Sequence, residues 1–310
     1  FKKINIMDLS AIQRIEFYIA PNLLNIEYNV EQQLSNKKFG NVYLGNYLGG
    51  ELENKLQETY VNVLQYQLNQ VGETPTMLMV GDVASSSDCY AFAKTRLNKS
   101  IDNKYTLLKC LNEPRHWGND TKIIDNINFK NKLNKIIWRG TTTGFPPDHN
   151  LHRGGDRFSL VTEYYNNTDF IDVGFSYICQ NQDAYESYIK NTLTIDQFRE
   201  YKYILSVEGN DKDTGLNWKL KSNSVVFMPK PKVSSWLMED KLIDKFHYIQ
   251  IKDDFSDLHE KFVWCERNQK DCESIIRNAQ IFMSNFDDIE KENEIQNSVI
   301  KLHQEKVKYH

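Results

Sequence analysis

Cysteine is scarce in this 310-residue chain, and its five cysteines follow no recognisable pattern. They are odd in number and scattered, and none forms a Cys-x-x-Cys pair. The seven-residue step from Cys265 to Cys272 matches no common zinc pattern. We therefore expect free thiols in a reducing compartment.

Long apolar runs are also missing, so we expect no membrane-spanning helix. The net charge of −4 argues against nucleic acid as a partner, because a phosphate backbone calls for a basic face. Hydrophobic residues make up 40% of the chain, which indicates a globular protein with a core for one large or two ordinary domains. We expect it in the cytoplasm or at the cytosolic face of a membrane. The tail residues Lys301, Lys306, Lys308 and Tyr309 suit either a peripheral membrane contact or a solvated helix.

Neither the Walker loop nor the dinucleotide Gly-x-Gly-x-x-Gly motif occurs, but another loop of similar chemistry is present. The apolar run Ile136-Ile137-Trp138 leads into Arg139-Gly140-Thr141-Thr142-Thr143-Gly144, and Arg153 and Arg157 follow. Glycines allow close approach of the backbone, hydroxyls donate, and arginine pairs with phosphate oxygens. The loop is typical of a phosphate-binding site, with a plain polar turn as the alternative.

Short apolar runs alternate with segments of helical spacing, which predicts an α/β fold with parallel sheets. Strands are predicted over residues 76–82, 105–108, 171–175, 203–207, 224–228 and 248–251. Helices are predicted over residues 51–70, 158–166, 194–201, 213–221, 256–268, 272–286 and the tail 287–309. Residues 88–99 are predicted as a turn or helix, and residues 1–30 show no clear period. Polar residues follow four strands, where parallel sheets bind ligands: Asp82, Arg139–Gly144, Asp172–Tyr177 and Glu208–Asp211.

Four ordered sequence blocks give the chain a resemblance to glycosyltransferase family 90. They are Lys135–Gly144, Tyr201–Asp211, Leu216–Val226 and Phe246–Leu258, and the resemblance covers roughly residues 76–285. The residues of these blocks are closer to those of the lipopolysaccharide-type branch than to those of the animal protein O-glucosyl/O-xylosyltransferases. The paired cysteines of the animal enzymes are missing, which is consistent with a cytosolic setting.

The resemblance implies a GT-B architecture, in which two Rossmann-like domains with parallel sheets face each other across a cleft. Residues 1–134 would form an acceptor-side domain, residues 135–286 a donor domain, and residues 287–310 a C-terminal helix that packs back on the first domain. It also implies a UDP-sugar donor, inversion at the anomeric carbon and no divalent metal. Asp253-Asp254 and Asp287-Asp288 are better explained as a loop turn and a helix surface than as metal ligands.

The resemblance further assigns site residues one by one. Thr141 and Arg157 would contact the diphosphate, and Phe175, Ser176 and Tyr177 would hold the nucleoside. The stretch Asn210 to Gly215, with Asp211 and Thr214, would lie beside the diphosphate. Gly215 stands where the animal enzymes have an arginine, so Lys212, Lys219 or a helix N-terminus must neutralise the phosphates instead. Asp82 corresponds to the general base, although an Asx-turn or helix cap is the ordinary role of a Gly-Asp strand end.

Other candidates have a structural alternative beside the functional one. Arg139, with Gly140 and Thr142, would clamp the diphosphate, or Arg139 would form a structural ion pair. Glu208, Gly209, Asp211 and Glu239 would bind sugar or ribose hydroxyls, with Glu208 and Asp211 as rival bases and a solvated helix face as the alternative for Glu239. Arg96, Arg115, His116 and Trp117 would line the acceptor side, although a lone histidine is more often structural.

The sequence thus predicts an inverting, metal-independent glycosyltransferase that needs no cofactor beyond its UDP-sugar co-substrate. The sugar would be of the glucose or xylose type and the acceptor a glycan or glycolipid hydroxyl. The alternatives are a protein O-glycosyltransferase acting on serine or threonine, a non-catalytic module that binds sugar nucleotides, and a GT-B-like phosphorylase or epimerase.

Overall fold

The structure is a computed structural model that describes most of the chain. It describes residues 9–28, 42–45, 55–72, 74, 76–79, 81–82, 89–98, 103–113, 116, 124–167, 169–180 and 182–309. The chain forms two compact units. The first comprises Phe1–Thr121, Val233–Glu239 and Phe286–His310, and the second Lys122–Lys232 and Asp240–Asn285.

The described elements comprise strands, α-helices and short 3₁₀ turns. The strands are β1 (Ile26–Tyr28), β2 (Val42–Gly45), β3 (Thr76–Met79), β4 (Ala91–Ala93), β5 (Thr95–Leu97), β6 (Tyr105–Leu107), β7 (Leu133–Thr141), β8 (Ile171–Tyr177), β9 (Tyr201–Leu205), β10 (Val225–Pro229), β11 (Val233–Ser235), β12 (Ile249–Ile251) and β13 (Val307–Tyr309). The α-helices are α1 (Ala11–Tyr18), α2 (Lys55–Asn69), α3 (Arg157–Tyr164), α4 (Ile195–Arg199), α5 (Leu216–Lys221), α6 (Leu258–Arg267), α7 (Gln269–Ser284) and α8 (Ile289–Lys306). Short 3₁₀ turns lie at Phe129–Asn131, Asp183–Tyr188 and Glu239–Lys241.

The second unit is built on a parallel sheet with strand order β12-β10-β9-β7-β8. Successive residues of β7 point to opposite faces. Ile136 and Trp138 pack with residues of α3, α6 and α7, whereas Ile137 packs with Phe198 of α4 and Ile204 of β9. Both faces are therefore covered, which is why the strand reads as a continuous apolar run. The predicted α/β class with parallel sheets is confirmed.

Two helix starts in this unit follow from capping chemistry. The Thr194 side chain accepts the N–H of Gln197, and the Gln197 side chain accepts the N–H of Thr194, so α4 begins with a capping box. Asp156 caps α3, because its Oδ1 accepts the N–H of Ser159 at 2.8 Å. Arg157 is thereby fixed as the first residue of α3, close to the ends of the central strands.

The first unit has a mixed sheet of order β2-β3-β4-β6, in which β3, β4 and β6 are parallel and β2 is antiparallel to β3. Strand β11 pairs antiparallel with β5, and β1 pairs parallel with β13. Helix α8 packs against α1, where Glu292 is buried between Arg14 and Lys109. The buried charges of Arg14, Lys109 and Glu292 are thus paired with one another.

One local prediction is wrong. Within residues 88–99, the described part forms strands β4 and β5 and not a turn or helix. The first 30 residues contain helix α1, which the periodicity did not reveal. All five cysteines are free thiols, as predicted. Among the helices that the structure describes, none combines the length and apolarity needed to cross a bilayer.

Candidate functional site

The loops that follow β7 and β9 come together in the second unit. These strands are parallel neighbours, so the segment after Thr141 and the segment after Leu205 leave the sheet at the same edge. Two hydrogen bonds join the loops directly. The N–H of Gly144 donates to Oδ1 of Asn210 at 2.8 Å, and Arg153 Nη2 donates to the carbonyl of Asn210 at 2.7 Å.

Arg157 lies between the same two loops. Its Nη1 donates to the hydroxyl of Thr143 at 2.6 Å and to the carbonyl of Thr141 at 3.1 Å. Its Nε and Nη2 donate to the carbonyl of Val207, each at 3.3 Å. The guanidinium therefore fixes the distance between the strand ends, and its positive charge lies where both loops begin.

Two glycines allow this close approach. A Cβ at Gly209 would lie 2.7 Å from the Thr143 hydroxyl and 3.1 Å from Nη2 of Arg157. Gly144 has a φ of +114° and faces the backbone of Gly209, so a side chain there would be strained as well as crowded. Glycine is thus required sterically at both predicted loops.

A small cleft of about 250 Å³, part of it open to solvent, lies beside these loops. Its lining consists of Gly144, Phe145, Arg153, Gly154, Gly155, Asp156, Glu208 and Gly209. Among the described residues, no hydrogen-bond partner reaches Nη1 of Arg153, although this atom is buried. Glu208 lines the same cleft while its Oε1 accepts the N–H of Lys232 at 2.9 Å. The cleft therefore combines a buried cationic donor with permissive backbone, a combination that suits an anionic ligand.

Several predicted donor-site residues have structural partners in the same unit. Arg139 pairs with Asp172, with Nη2 2.8 Å from Oδ2. Burial opposes ionisation of Asp172, but the hydrogen bonds and charges of Arg139 and Lys190 outweigh it and lower the pKa of this carboxyl. The Thr142 hydroxyl donates to the carbonyl of Cys179 at 2.8 Å and joins the ends of β7 and β8. Gly140 makes room for the Trp138 ring, which a Cβ would approach to 2.6 Å.

The three residues predicted to hold a nucleoside differ in exposure. Phe175 is fully buried against Trp138 and Phe158, so its ring belongs to the core. Ser176 is half-buried and Tyr177 is 67% exposed at the carboxyl end of β8. These two side chains lie at the sheet edge where the loops converge.

The β9–α5 loop carries a buried ion pair. Asp213 accepts from Lys219 Nζ at 2.5 Å and from the Ser206 hydroxyl at 2.7 Å. Burial opposes ionisation, but the charge of Lys219 and its hydrogen bond outweigh it and lower the pKa of Asp213. The ammonium of Lys219, predicted to neutralise phosphate, is thus bound to a carboxylate inside the unit.

The rest of this loop is ordered around the same carboxylate. The N–H of Gly215 donates to Oδ1 of Asp213 at 2.9 Å. Asp211 is buried, and its carbonyl accepts the N–H of Gly209 at 3.0 Å. Thr214 is half-buried. Asp211 and Asp213 form an Asp-x-Asp, but the oxygens of Asp213 are occupied by Lys219, Ser206 and Gly215. Within the described residues, no three His, Cys, Asp or Glu side chains come together as a metal-binding group.

In the first unit, Asp82 follows β3 and pairs with a buried lysine. Nζ of Lys94 lies 2.6 Å from Oδ1 of Asp82, and the carboxylate side chain is 35% exposed. The hydroxyl of Tyr60 lies 3.5 Å from the same Nζ and 3.2 Å from Nε2 of His116. The predicted base and the predicted acceptor-side histidine thus belong to one chain of polar contacts.

The remaining candidates of this unit have other contacts. Arg96 donates to the carbonyls of Phe17, Tyr18 and Ile19 and so caps the carboxyl end of α1. Glu239, predicted to hold ribose, is buried in the first unit. It accepts the N–H and hydroxyl of Ser235 at 2.6 and 2.7 Å. Arg115 and Trp117 lie outside the described residues.

A comparison with known families decides what kind of protein this is. The profile described as Glycosyl transferase family 90 matches residues 114–305, more than half of the chain. The chain belongs to glycosyl transferase family 90. The resemblance stated from four sequence blocks is therefore confirmed.

Curated relatives of this family 90 chain carry related names. O-glucosyltransferase LpsA of Dichelobacter nodosus is 34% identical over 206 residues, which are 66% of this chain and 59% of that protein. Protein O-glucosyltransferase 2 of Danio rerio is 28% identical over 160 residues, 50% of this chain and 29% of that protein. Uncharacterized protein 179R of Invertebrate iridescent virus 6 is 24% identical over 220 residues, 62% of this chain and 18% of that protein. The chain thus spans less than two thirds of the length of each.

In this family 90 chain, neither the pairing of Lys94 with Asp82 nor that of Asp213 with Lys219 is predicted from the sequence. Lys94 and Asp213 both act through a charged partner that is 12 or 6 residues away in sequence, and neither spacing belongs to a known motif. Arg153 was recognised as a nearby guanidinium. Its burial beside the cleft depends on the contacts between the loops, which no sequence pattern indicates.

Proposed function

We propose that the protein is an inverting glycosyltransferase. It would move a sugar of the glucose or xylose type from UDP to a glycan or glycolipid hydroxyl without a divalent metal. The observation that carries the donor site is the buried Nη1 of Arg153, which has no acceptor among the described residues and lies in a glycine-lined cleft. Membership of family 90 and two relatives named O-glucosyltransferases support the sugar transfer.

In this proposal, Arg153 and Arg157 take the place of the arginine that the animal enzymes have at Gly215. Lys219 is not available for this role, because Asp213 already holds its ammonium. A guanidinium donates to two phosphate oxygens at once and compensates the charge that develops on the leaving diphosphate. Thr141 and the N–H groups of the two loops would complete the contacts.

The proposed reaction exchanges one bond at the anomeric carbon for another. Asp82 takes the proton of the acceptor hydroxyl, and the oxygen attacks the anomeric carbon from the face opposite to the diphosphate. The bond from that carbon to the phosphate oxygen breaks, and UDP leaves with the electron pair. We propose a GT-B arrangement for this chemistry, with domain boundaries near residues 134 and 286.

The acceptor has one competing candidate. The name of the Danio rerio relative favours a protein hydroxyl, whereas the name LpsA does not specify the acceptor. Mass spectrometry of glycan and protein pools incubated with labelled donor would separate these acceptors. A module that only binds sugar nucleotides would give no labelled product in either pool.

The first test is thermal unfolding with UDP, UMP, GDP, CMP and common UDP-sugars, each with and without EDTA. A ligand that binds only the folded state raises the melting temperature by mass action. We expect stabilisation by UDP and one UDP-sugar, with no effect of EDTA. A response that requires a divalent metal would contradict the metal-free mechanism.

The Arg153→Met variant tests the cleft directly. Loss of a charge-assisted hydrogen bond is expected to raise the Kd for UDP by about tenfold or more. Arg277→Met, at an exposed position of α7, is the matched control and should bind UDP as the wild type does. Equal UDP affinity of Arg153→Met and the wild type would contradict the assignment of the donor site.

A further inference from the structure

Lys94 is a buried cation at the junction between strands β4 and β5. Lys94 is 1% exposed, yet its ammonium lies 2.6 Å from the partly exposed carboxylate of Asp82. Strand β4 is the parallel neighbour of β3, so the junction after β4 and the end of β3 meet at one edge of the sheet. The ammonium thus approaches Asp82 from the protein side and leaves part of the carboxylate open to solvent.

Tyr60 contacts the ammonium through its ring and its hydroxyl, and His116 packs on Tyr60. Nζ of Lys94 lies 5.4 Å from the centre of the Tyr60 ring, which favours the charged form by a cation–π contact. The Tyr60 hydroxyl lies 3.5 Å from the same Nζ and 3.2 Å from Nε2 of His116. The rings of Tyr60 and His116 also pack, with centres 5.5 Å apart.

Lysine can only donate, so the Tyr60 oxygen accepts from Lys94. The Tyr60 hydroxyl is also within hydrogen-bond distance of Nε2 of His116, and the direction of that bond depends on the tautomer of the ring. Of the described titratable groups, Tyr60 contacts Lys94 directly and His116 reaches it through Tyr60.

We propose that Lys94 is the positioning residue of the general base and acts on the reaction through Asp82. The inference rests on the proposed function, because it needs Asp82 to be the base. Lys94 holds the carboxylate in one orientation and keeps it ionised, so that it is ready to take a proton. Tyr60 and His116 in turn hold Lys94.

The proposal predicts a specific change in the pH profile. A base works only when deprotonated, and a nearby cation favours the deprotonated carboxylate. In Lys94→Met, the acid limb of the kcat–pH profile should therefore move to higher pH by about one unit or more. At the optimum pH, kcat should fall at least about tenfold, whereas the KM for the donor should stay within about twofold because the proposed donor residues lie in the second unit.

The experiment measures UDP release from UDP-glucose and UDP-xylose, with water and octyl glucoside as acceptors, between pH 5 and 9. Lys109→Met is the matched control, because Lys109 is equally buried in the same unit and pairs with Glu292. Both variants lose a buried cation, but only Lys94→Met should shift the acid limb. Asp82→Asn should release no UDP.

The outcomes separate the inference from the proposed function. A Lys94→Met profile equal to the wild-type profile, with Asp82→Asn inactive, would overturn the inference alone. A wild type that neither binds nor cleaves any UDP-sugar would overturn the proposed function, and the inference with it. If Lys94→Met does not fold, Tyr60→Phe decides, because it keeps the ring and removes only the hydroxyl. An unchanged kcat in Tyr60→Phe would then contradict the role of the chain of contacts.

Discussion

At the scale of single residues, Gly209 shows how little space the donor-side loops leave. A methyl group there would contact the Thr143 hydroxyl and the Arg157 guanidinium, which are hydrogen-bonded to each other. We expect Gly209→Ala to displace Arg157, to weaken UDP binding about tenfold and to destabilise the fold by about 1–3 kcal/mol.

Titration calorimetry with UDP and chemical denaturation would measure the two effects of this change. Gly45→Ala serves as a control glycine in the first unit, where the proposal places no donor contact. Wild-type UDP affinity in Gly209→Ala would show that the Arg157 position does not matter for the nucleotide.

Charged residues also show why sequence identifies site candidates better than it assigns their roles. Arg139, Lys219 and Arg96 all have the charge that a phosphate or sugar site needs. In the structure their donors are bound to Asp172, to Asp213 and to the end of α1. Which acceptor a cation binds depends on the folded chain, and no local sequence pattern around these residues predicts it.

At the scale of elements, α8 is held by a buried carboxylate with two cationic partners. Glu292 accepts from Arg14 of α1 and, at 2.7 Å, from Lys109 after β6, and all three side chains are buried. Removing one member of a buried ion pair leaves the other charge uncompensated, which costs about 3–5 kcal/mol. We therefore expect Glu292→Gln to lower the unfolding free energy by about this amount.

Denaturant unfolding of Glu292→Gln tests this expectation against a variant of the same helix. Glu294→Gln removes an exposed carboxylate two residues away and should change the unfolding free energy by less than about 0.5 kcal/mol. Similar stability of the two variants would mean that α8 is held by its apolar face and not by Glu292.

The same elements explain which parts of the fold the sequence predicts. Helix α4 lies within the segment 194–201 that the sequence predicts as helical, and β7 contains an apolar run that both faces of the sheet bury. Helix α1 shows no apolar period because one of its two buried positions is the charged Arg14, while Ile12 is 69% exposed. Strands β4 and β5 have three residues each, too few for a period to appear.

At the scale of the whole molecule, the sequence predicts the family and the strand ends that form the candidate site. The parallel order of β7 and β9 brings the predicted loops together, as the rule for parallel sheets requires. The chain of contacts from Asp82 through Lys94 and Tyr60 to His116 could not be predicted, because it joins residues up to 56 positions apart in sequence. Such contacts depend on tertiary packing and leave no periodic trace.

Two buried histidines predict how each unit responds to acid. Burial lowers the pKa of His303 to about 3 in the first unit and that of His247 to about 4 in the second. Nδ1 of His247 accepts the N–H of Ile243 at 3.0 Å, and among the described residues its Nε2 has no hydrogen-bond partner. Among the residues that the structure describes, neither ring has a carboxylate close enough to stabilise a proton.

The direction of the pH effect follows from the order of these pKa values. Above pH 6.5 both rings are neutral in the folded and the unfolded chain, so their contribution to stability is fully present. As the pH falls below 6.5, the unfolded chain binds protons that the folded chain rejects. The free energy of unfolding should then decrease by up to about 1.4 kcal/mol per pH unit for each histidine, until the folded rings titrate near pH 4 and 3.

Urea unfolding at intervals from pH 7.5 to 4.5 would measure the slope of the unfolding free energy against pH. His303→Gln should flatten it for the first unit, and His259→Gln, at an exposed position, should leave it unchanged. An equal slope in His303→Gln and the wild type would mean that other groups cause the loss of stability in acid.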